Sequence, residues 1–219
     1  MSTPTPPLTL VLGTKNYSSW SLRPYLALAH TGQPFQEVVI QLGDPDTTEK
    51  ILQHSPSGKV PLLKHGELSI WDSLAICEYL AETFPEARLW PQDKAARAVA
   101  RSVVAEMHSS FTALRQHMSM NIRARKSGQG RAPGVAEDIA RIQDIWKECR
   151  ARFGQGGPFL FGAFSIADAF YAPVVTRFVT YGVELDPVCA AYRDAVLALP
   201  SFLKWAEAAK HERPVAKYE

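Results

Sequence analysis

The chain has 219 residues, of which 46% are hydrophobic and 21% charged, as in an ordinary globular protein with a sizeable core. Its 24 basic and 22 acidic residues give a formal charge of +2, too balanced to indicate binding to nucleic acid or to an acidic membrane. The three cysteines, Cys77, Cys149 and Cys189, lie far apart. They indicate a reducing compartment in which each is a small buried hydrophobic residue.

The N-terminal stretch MSTPTPP has no positively charged segment and no apolar segment, so we do not expect it to be a signal peptide. No apolar run approaches the roughly 20 residues that a membrane-spanning helix needs. We therefore expect a cytoplasmic protein with neither nucleic acid nor membrane as a partner. The length alone leaves one large domain or two modest domains open.

The first 84 residues alternate strand-like and helical patterns. Strand patterns cover 8–13, 35–42 and two parts of 60–71 that meet in a turn at His65-Gly66, and helical patterns cover 22–31, 47–54 and 73–84. The order is β-α-β-α-β-β-α. Helices between the first strands predict a parallel crossover, and the closing hairpin predicts antiparallel strands. This is the thioredoxin-like order of an α/β domain.

After residue 84 the pattern changes. Residues 85–93, PEARLWPQD, contain two prolines and no periodicity, which predicts a linker over 85–94. Helical periods then cover 95–121, 135–153, 166–181, 188–199 and 202–210. The sequence thus predicts a first domain over 1–84 and an all-α domain over 95–219.

A basic, glycine-containing run interrupts the helical patterns of the second domain. It contains Arg123, Arg125, Lys126 and Arg131. We interpret the run as a solvated loop, with an anion or partner contact as the alternative.

Hydroxyl groups cluster where the first helix begins, in Tyr17-Ser18-Ser19-Trp20-Ser21. Thioredoxin-like redox proteins carry C-x-x-C at this place, and its absence excludes disulfide exchange at this site. The serines suit either a helix cap or a substrate contact. We interpret Ser21 as the cap, because it adjoins the first helical residues.

Three further motifs follow. SPSGKVPLL places Val60-Pro61 before the third strand, and IWDSLAICEYL places Asp72-Ser73 at the start of the third helix. In FGAFSIADAFYAPV, Ser165 and Asp168 have the spacing of a capping box. Phe164 and Ala169 flank that box with the spacing of a hydrophobic staple.

With these motifs, the chain resembles a cytosolic glutathione S-transferase of a bacterial-like serine type, similar to the zeta and tau classes. Laying the zeta motif S-S-C-x-W-R-V-R-I-A-L over SSWSLRPYLAL puts the catalytic serine on Ser18 and the first arginine on Arg23. Trp20 stands where the zeta class has cysteine. The resemblance implies that Ser18 donates a hydrogen bond to the thiolate of glutathione, with Tyr17 and Ser19 as alternatives.

The resemblance also implies a glutathione site. The Val60-Pro61 bond resembles the cis-proline of thioredoxin-like folds, which leaves the Val60 main chain to pair with the cysteine of glutathione. The alternative is an ordinary edge-strand proline. Lys59 meets the glycine carboxylate or is a solvated loop lysine. Ser73 suits the γ-glutamyl carboxylate at a helix N-terminus, and Asp72 meets the ammonium group, caps the helix, or does both.

The electrophile pocket should lie between the domains. Met107, His108, Phe111 and Arg115 recur at helical spacing, and the competing interpretation is that most of these positions are inter-helix core. His108 and Arg115 suit a polar part of the substrate. The six histidines have no H-x-x-x-H or Cys/His spacing, so we expect no metal.

The resemblance implies a glutathione transferase that activates glutathione, its co-substrate, as thiolate and conjugates it to small apolar electrophiles. It also implies a homodimer. A glutathione-dependent cis-trans isomerase of the maleylacetoacetate type is one alternative. A non-catalytic, transferase-like binding protein is the other.

Overall fold

The computed structural model describes residues 7–219. The first six residues of MSTPTPP, for which we expect no signal peptide, lie outside this range. The N-terminal domain confirms the predicted β-α-β-α-β-β-α order. Its elements are β1 (Leu8–Gly13), α1 (Ser19–His30), β2 (Phe35–Ile40), α2 (Thr47–Leu52), β3 (Leu62–His65), β4 (Leu68–Trp71) and α3 (Ser73–Thr83).

These strands form one mixed sheet in the order β2-β1-β3-β4. β1 pairs with β2 in parallel and with β3 antiparallel, and β3 and β4 form the predicted hairpin. Leu10, Val11 and Leu12 of the inner strand β1 are fully buried, which explains its near-continuous apolar run. The sheet therefore fixes the end of β1, from which the chain enters the candidate site.

The C-terminal domain is helical. Its helices are α4 (Lys94–Ser109), α5 (Thr112–His117), α6 (Val135–Phe153), α7 (Ile166–Tyr181), α8 (Pro187–Leu197) and α9 (Pro200–Lys210). α6 and α7 have the predicted bounds. No helix among residues 7–219 combines the length and apolar character that crossing a bilayer requires. The three cysteines are buried and unpaired, as predicted.

The single helix predicted over 95–121 is wrong, because the chain breaks between α4 and α5. Ser110 is extended and Phe111 lies in the left-handed region with φ of 61°. The guanidinium of Arg115 donates to the main-chain carbonyls of Ser110, at 2.8 Å, and of Met107. These bonds satisfy carbonyls that the end of α4 leaves without helical partners.

α7 connects the two domains by packing against both α1 and α4. The predicted capping box begins it: the Asp168 carboxylate accepts from the Ser165 N–H at 2.8 Å and from the Leu160 N–H at 3.0 Å. Asp168 is fully buried, and burial raises its pKa to about 6 despite these bonds. The box therefore fixes the start of the helix that carries Arg177 to the candidate site.

Candidate functional site

Five of the predicted glutathione contacts line one cavity of 710 Å³, which we call the first cavity. They are Lys59, Val60, Pro61, Asp72 and Ser73, and Trp20 and Trp71 also contribute to its wall. The cavity lies between the loop that precedes β3 and the N-terminus of α3. Residues predicted from separate motifs are thus brought together in space.

The N-terminus of α3 offers a hydrogen-bonding surface to the first cavity. Asp72 caps the helix, since its Oδ1 accepts from the N–H groups of Leu74 at 2.8 Å and Ala75 at 3.3 Å. The Ser73 hydroxyl is buried, and within residues 7–219 it has no hydrogen-bond partner. An unpaired buried hydroxyl at a helix N-terminus is suited to an anionic group.

The Val60-Pro61 peptide bond is cis, as the resemblance implied. Val60 is half-buried, and no hydrogen bond joins its main chain to any other described residue. Its N–H and C=O are therefore available to a peptide-like ligand.

A second cavity, of 270 Å³, adjoins the first and shares Trp20 and Val60 with it. Its wall is formed by Tyr17, Ser18, Ser19, Trp20, Leu42, Val60, Arg115, Ser119, Met120, Arg177 and Tyr218. None of these side chains is acidic. The predicted thiol contacts and Arg115 therefore share one small, basic cavity beside the first.

The interpretation of Ser21 as the helix cap is wrong. α1 begins at Ser19, and Ser18 is its N-cap, accepting from the Ser21 N–H at 3.4 Å. The Ser21 hydroxyl is fully buried and accepts from the Gly13 N–H, at 3.0 Å, and from the Ser18 hydroxyl, at 2.7 Å. Ser21 was misassigned because the end of β1, rather than the helix, binds its hydroxyl.

The C-terminal segment covers Tyr17. The Tyr17 hydroxyl donates to the Glu219 carboxylate and accepts from Arg123 at 2.9 Å, and its ring stacks on Tyr218 at 5.4 Å. Arg123 also donates to the Glu212 carbonyl at 2.7 Å. Lys126 donates to the Tyr218 carbonyl at 3.2 Å and is half-buried. The solvated-loop prediction therefore fails for Arg123 and Lys126, whereas Arg125 and Arg131 are exposed.

Three arginines surround the start of α1. Arg23 is fully buried, with its guanidinium 4.3 Å from the Trp20 ring and 4.7 Å from the Phe170 ring. Among the described residues, no hydrogen-bond partner reaches its three guanidinium nitrogens. Burial, reinforced by Arg115 and Arg177, holds the pKa of Arg23 well below its ordinary value. The region is strongly positive.

Arg177 is the third member of this cluster and is 4% exposed. It donates to the Met118 carbonyl at 2.7 Å and to the Ser19 hydroxyl at 3.3 Å. Burial, followed by repulsion from Arg115, lowers its pKa to about 10, so it stays charged at neutral pH.

The predicted electrophile contacts separate into two groups. Arg115 lines the second cavity, and His108 lies beside it, 5.3 Å from the Trp20 ring and 3.4 Å from Asp72. Met107 and Phe111 are 0% and 5% exposed and line neither cavity. For these two, the structure favours the competing interpretation of inter-helix core.

Trp20 and Arg177 were not predicted to act in the site. Trp20 is 38% exposed and stands between the two cavities. Arg177 had a detectable signal, since it is the one basic residue in the mostly apolar helix Ile166–Tyr181. Within residues 7–219, no cluster of His, Cys, Asp or Glu could hold a metal ion.

Comparison with known proteins agrees with this geometry. Residues 17–83 match the family model for the glutathione S-transferase N-terminal domain, and residues 132–212 match that for the C-terminal domain. A maleylacetoacetate isomerase of Rattus norvegicus is 30% identical over 192 residues, covering 84% of this chain and 86% of the relative. The chain belongs to the glutathione S-transferase family.

Two further relatives agree with this assignment. Glutathione S-transferase 1 of Dianthus caryophyllus is 28% identical over 194 residues, which is 84% of this chain and 86% of that protein. A solved Burkholderia glutathione transferase homolog, with bound glutathione, matches with a TM-score of 0.70 and 24% identity. That match covers 94% of this chain and all of the other. The family member described here therefore has the two-domain fold of these transferases.

Proposed function

We propose that the chain is a glutathione transferase that binds glutathione in the first cavity and adds it to a small electrophile in the second. The observation that carries this proposal is the junction of the two cavities at Trp20 and Val60. A peptide in the first cavity can place its cysteine sulfur at this junction, next to the start of α1. The resemblance and the family assignment both support this placement.

The polar groups of the first cavity suit the ends of glutathione. The unpaired Ser73 hydroxyl and the N-terminus of α3 suit the γ-glutamyl carboxylate, while Asp72 suits the ammonium group. The exposed Lys59 suits the glycine carboxylate, and the free main chain of Val60 suits the cysteine between them.

Thiolate formation needs a favourable environment at the start of α1. The glutathione thiol has a pKa near ~8.5, so a small fraction is ionised at neutral pH. Lowering that pKa by about two units requires roughly 2.7 kcal/mol of differential stabilisation. One charge-assisted hydrogen bond from a serine, the dipole of α1 and the nearby arginines can together supply it.

The second cavity suits a small electrophile with an apolar body. Leu42, Trp20, Met120 and Tyr218 offer apolar surface, and Arg115 offers a cation to a polar substituent. Conjugation is therefore the reaction that we propose. The isomerase alternative would use the same thiolate reversibly, and the non-catalytic alternative would require that glutathione not be turned over.

Three further features are also part of this proposal. They are the division into residues 1–84, 85–94 and 95–219, the homodimer and the cytoplasmic location. Light scattering of the purified chain tests the homodimer. We expect a mass of about two chains of 24.3 kDa each.

Calorimetry and an activity assay together test the function. We expect saturable binding of glutathione and glutathione-dependent conjugation of chlorodinitrobenzene. Turnover of maleylacetoacetate without conjugation would favour the isomerase. Absence of glutathione binding would favour the non-catalytic protein.

A further inference from the structure

The helical domain contains a third cavity, of 520 Å³, which shares no wall residue with the first two. It lies where the loop before α6 meets α7, α8 and α9. Its wall is formed by Ile122, Arg123, Arg125, Thr176, Val179, Leu197, Phe202, Ala206 and Lys210. A cavity of this size is large enough for a small molecule. In the proposed function, neither glutathione nor the electrophile occupies it.

The floor of the third cavity is apolar. It is formed by the side chains of Ile122, Val179, Leu197, Phe202 and Ala206. Thr176 adds a hydroxyl, but its proton is donated to the Pro173 carbonyl at 2.8 Å. An apolar ligand body on this floor would therefore leave water without stranding a donor of the wall.

The rim of the third cavity is basic, and no acidic side chain contributes to the described wall. Two of its three cations already have a carboxylate nearby. Lys210 Nζ lies 2.5 Å from Glu207, and Arg123 Nη2 lies 3.6 Å from Glu219. These two side chains therefore contribute little net charge to a ligand.

Arg125 is the third cation of the rim, and it is exposed. Its Nη1 donates to the main-chain carbonyls of Ile122, at 3.1 Å, and Ala124, at 2.8 Å. Among residues 7–219, no carboxylate pairs with it, so its charge is not neutralised. One such charge beside an apolar floor is complementary to a ligand that carries one negative charge at the end of an apolar body.

Arg123 connects the third cavity to the second. Its Nη2 donates to the Tyr17 hydroxyl at 2.9 Å, and that hydroxyl in turn donates to the Glu219 carboxylate. The Tyr17 ring stacks on Tyr218, and both rings belong to the wall of the second cavity. An anion in the third cavity would compete with Glu219 and Tyr17 for the charge of Arg123. It would thereby loosen one wall of the second cavity.

We propose that the third cavity is a regulatory site for an amphiphilic monocarboxylate of the fatty-acid class, and that Arg123 couples its occupancy to the second cavity. Arg125 binds the carboxylate, whose two oxygens match the fork of a guanidinium, and the floor binds the alkyl chain. The occupied site weakens binding in the second cavity, and the effect is reciprocal. The coupling rests on the proposed function, whereas binding in the third cavity does not.

Calorimetry with decanoate tests the site. We expect saturable binding to the full-length chain with a Kd on the order of 0.1 mM, and weaker binding of decanol, which has the same alkyl chain without the charge. Arg125→Gln should weaken decanoate binding roughly fivefold. Ala206→Phe places a ring on the floor and should weaken it roughly tenfold or more.

Arg131→Gln is the matched control, because Arg131 is an exposed cation of the same basic run and lies outside the third cavity. It should bind decanoate as the wild type does. No saturable binding, or binding that neither Arg125→Gln nor Ala206→Phe weakens, would overturn the site. Loss of the homodimer in Ala206→Phe, with no decanoate binding to the wild type, would instead identify this face as an interface between copies and would also overturn the site.

The coupling is measured with S-(2,4-dinitrophenyl)glutathione, the conjugate of chlorodinitrobenzene, which occupies the first and second cavities in the proposed function. Its Kd should rise roughly fivefold and reach a plateau as decanoate saturates, while the Kd of glutathione stays constant. Arg123→Lys keeps the charge but loses the guanidinium fork, so it should bind decanoate and show a smaller rise. A Kd that rises without a plateau would indicate direct competition in the second cavity and would overturn the coupling.

The two proposals fail in different ways. A chain that binds decanoate but not glutathione would overturn the proposed function and the coupling, and it would leave the third cavity as a binding site. A chain that binds glutathione but not decanoate would overturn the regulatory site and leave the proposed function intact.

Discussion

His108 Nε2 lies 3.4 Å from Asp72 Oδ2, so a residue of the helical domain meets the cap of α3 at the edge of the first cavity. Burial lowers the pKa of His108, repulsion from Arg23 and Arg115 acts in the same direction, and Asp72 opposes them. His108 is therefore neutral at pH 7, and its contact with Asp72 is not an ion pair there.

This relationship predicts a pH dependence. A histidine whose pKa is lowered by folding contributes stability that is present above its ordinary pKa of about 6.5 and is lost as the pH falls below it. The free energy of unfolding of the wild type should decrease below about pH 6.5 more steeply than that of His108→Gln. Urea denaturation across this range measures both. Parallel curves would contradict the assigned direction.

Ser73→Ala should separate binding from stability. The Ser73 hydroxyl is buried and, among the described residues, unpaired, so its removal should leave the free energy of unfolding unchanged or slightly higher. Because the hydroxyl is assigned to the γ-glutamyl carboxylate, glutathione affinity should fall roughly tenfold, or about 1.4 kcal/mol.

Calorimetry measures the affinity of Ser73→Ala, and chemical denaturation measures its stability. Ser102→Ala, in the exposed part of α4, is the matched control. Unchanged glutathione affinity in Ser73→Ala would contradict a contact between Ser73 and the γ-glutamyl carboxylate.

Asp168→Ala should lower stability and leave glutathione binding unchanged, the reverse of what we expect for Ser73→Ala. The Asp168 carboxylate accepts from the N–H groups of Leu160 and Ser165 and is fully buried, so its removal leaves buried donors unpaired. We expect the free energy of unfolding to fall by roughly 1–3 kcal/mol. Saturation by glutathione should remain as in wild type once the protein is folded. A variant of native stability with impaired saturation would contradict this division.

Tyr218→Ala should affect the electrophile rather than glutathione. The Tyr218 ring stacks on Tyr17 and forms part of the second cavity but not of the first. We expect the KM for chlorodinitrobenzene to rise several-fold because apolar contact is lost, with glutathione affinity preserved. Tyr218→Phe retains the ring and should behave as wild type. A fall in glutathione affinity with an unchanged KM for chlorodinitrobenzene would contradict the assignment of the second cavity to the electrophile.

The sequence predicted the elements whose ends carry local signals. β1 is a near-continuous apolar run, and α7 begins at a capping box and is followed directly by Gly182, so both have the predicted bounds. The break between α4 and α5 could not be predicted in this way. It occurs at Phe111, which adopts a left-handed conformation without a glycine or proline to mark it.

The site was predicted only where its residues belong to motifs that are local in sequence. Such motifs located Val60, Asp72 and Ser73. The choice between Ser18 and Ser21 as cap depended instead on the Gly13 N–H, which the sheet brings to Ser21. Arg177 comes from a helix that is distant in sequence and reaches Ser19 only through the packing of α7 against α1.

The pKa of the thiol of glutathione bound to the wild-type chain tests the central claim most directly. In the proposed function, the sulfur lies beside serine hydroxyls, the N-terminus of α1, Arg115 and Arg177, all of which favour the anion. We therefore expect the thiolate to titrate about two units below the ~8.5 of the free thiol. Bound glutathione that titrates as the free thiol does would contradict it.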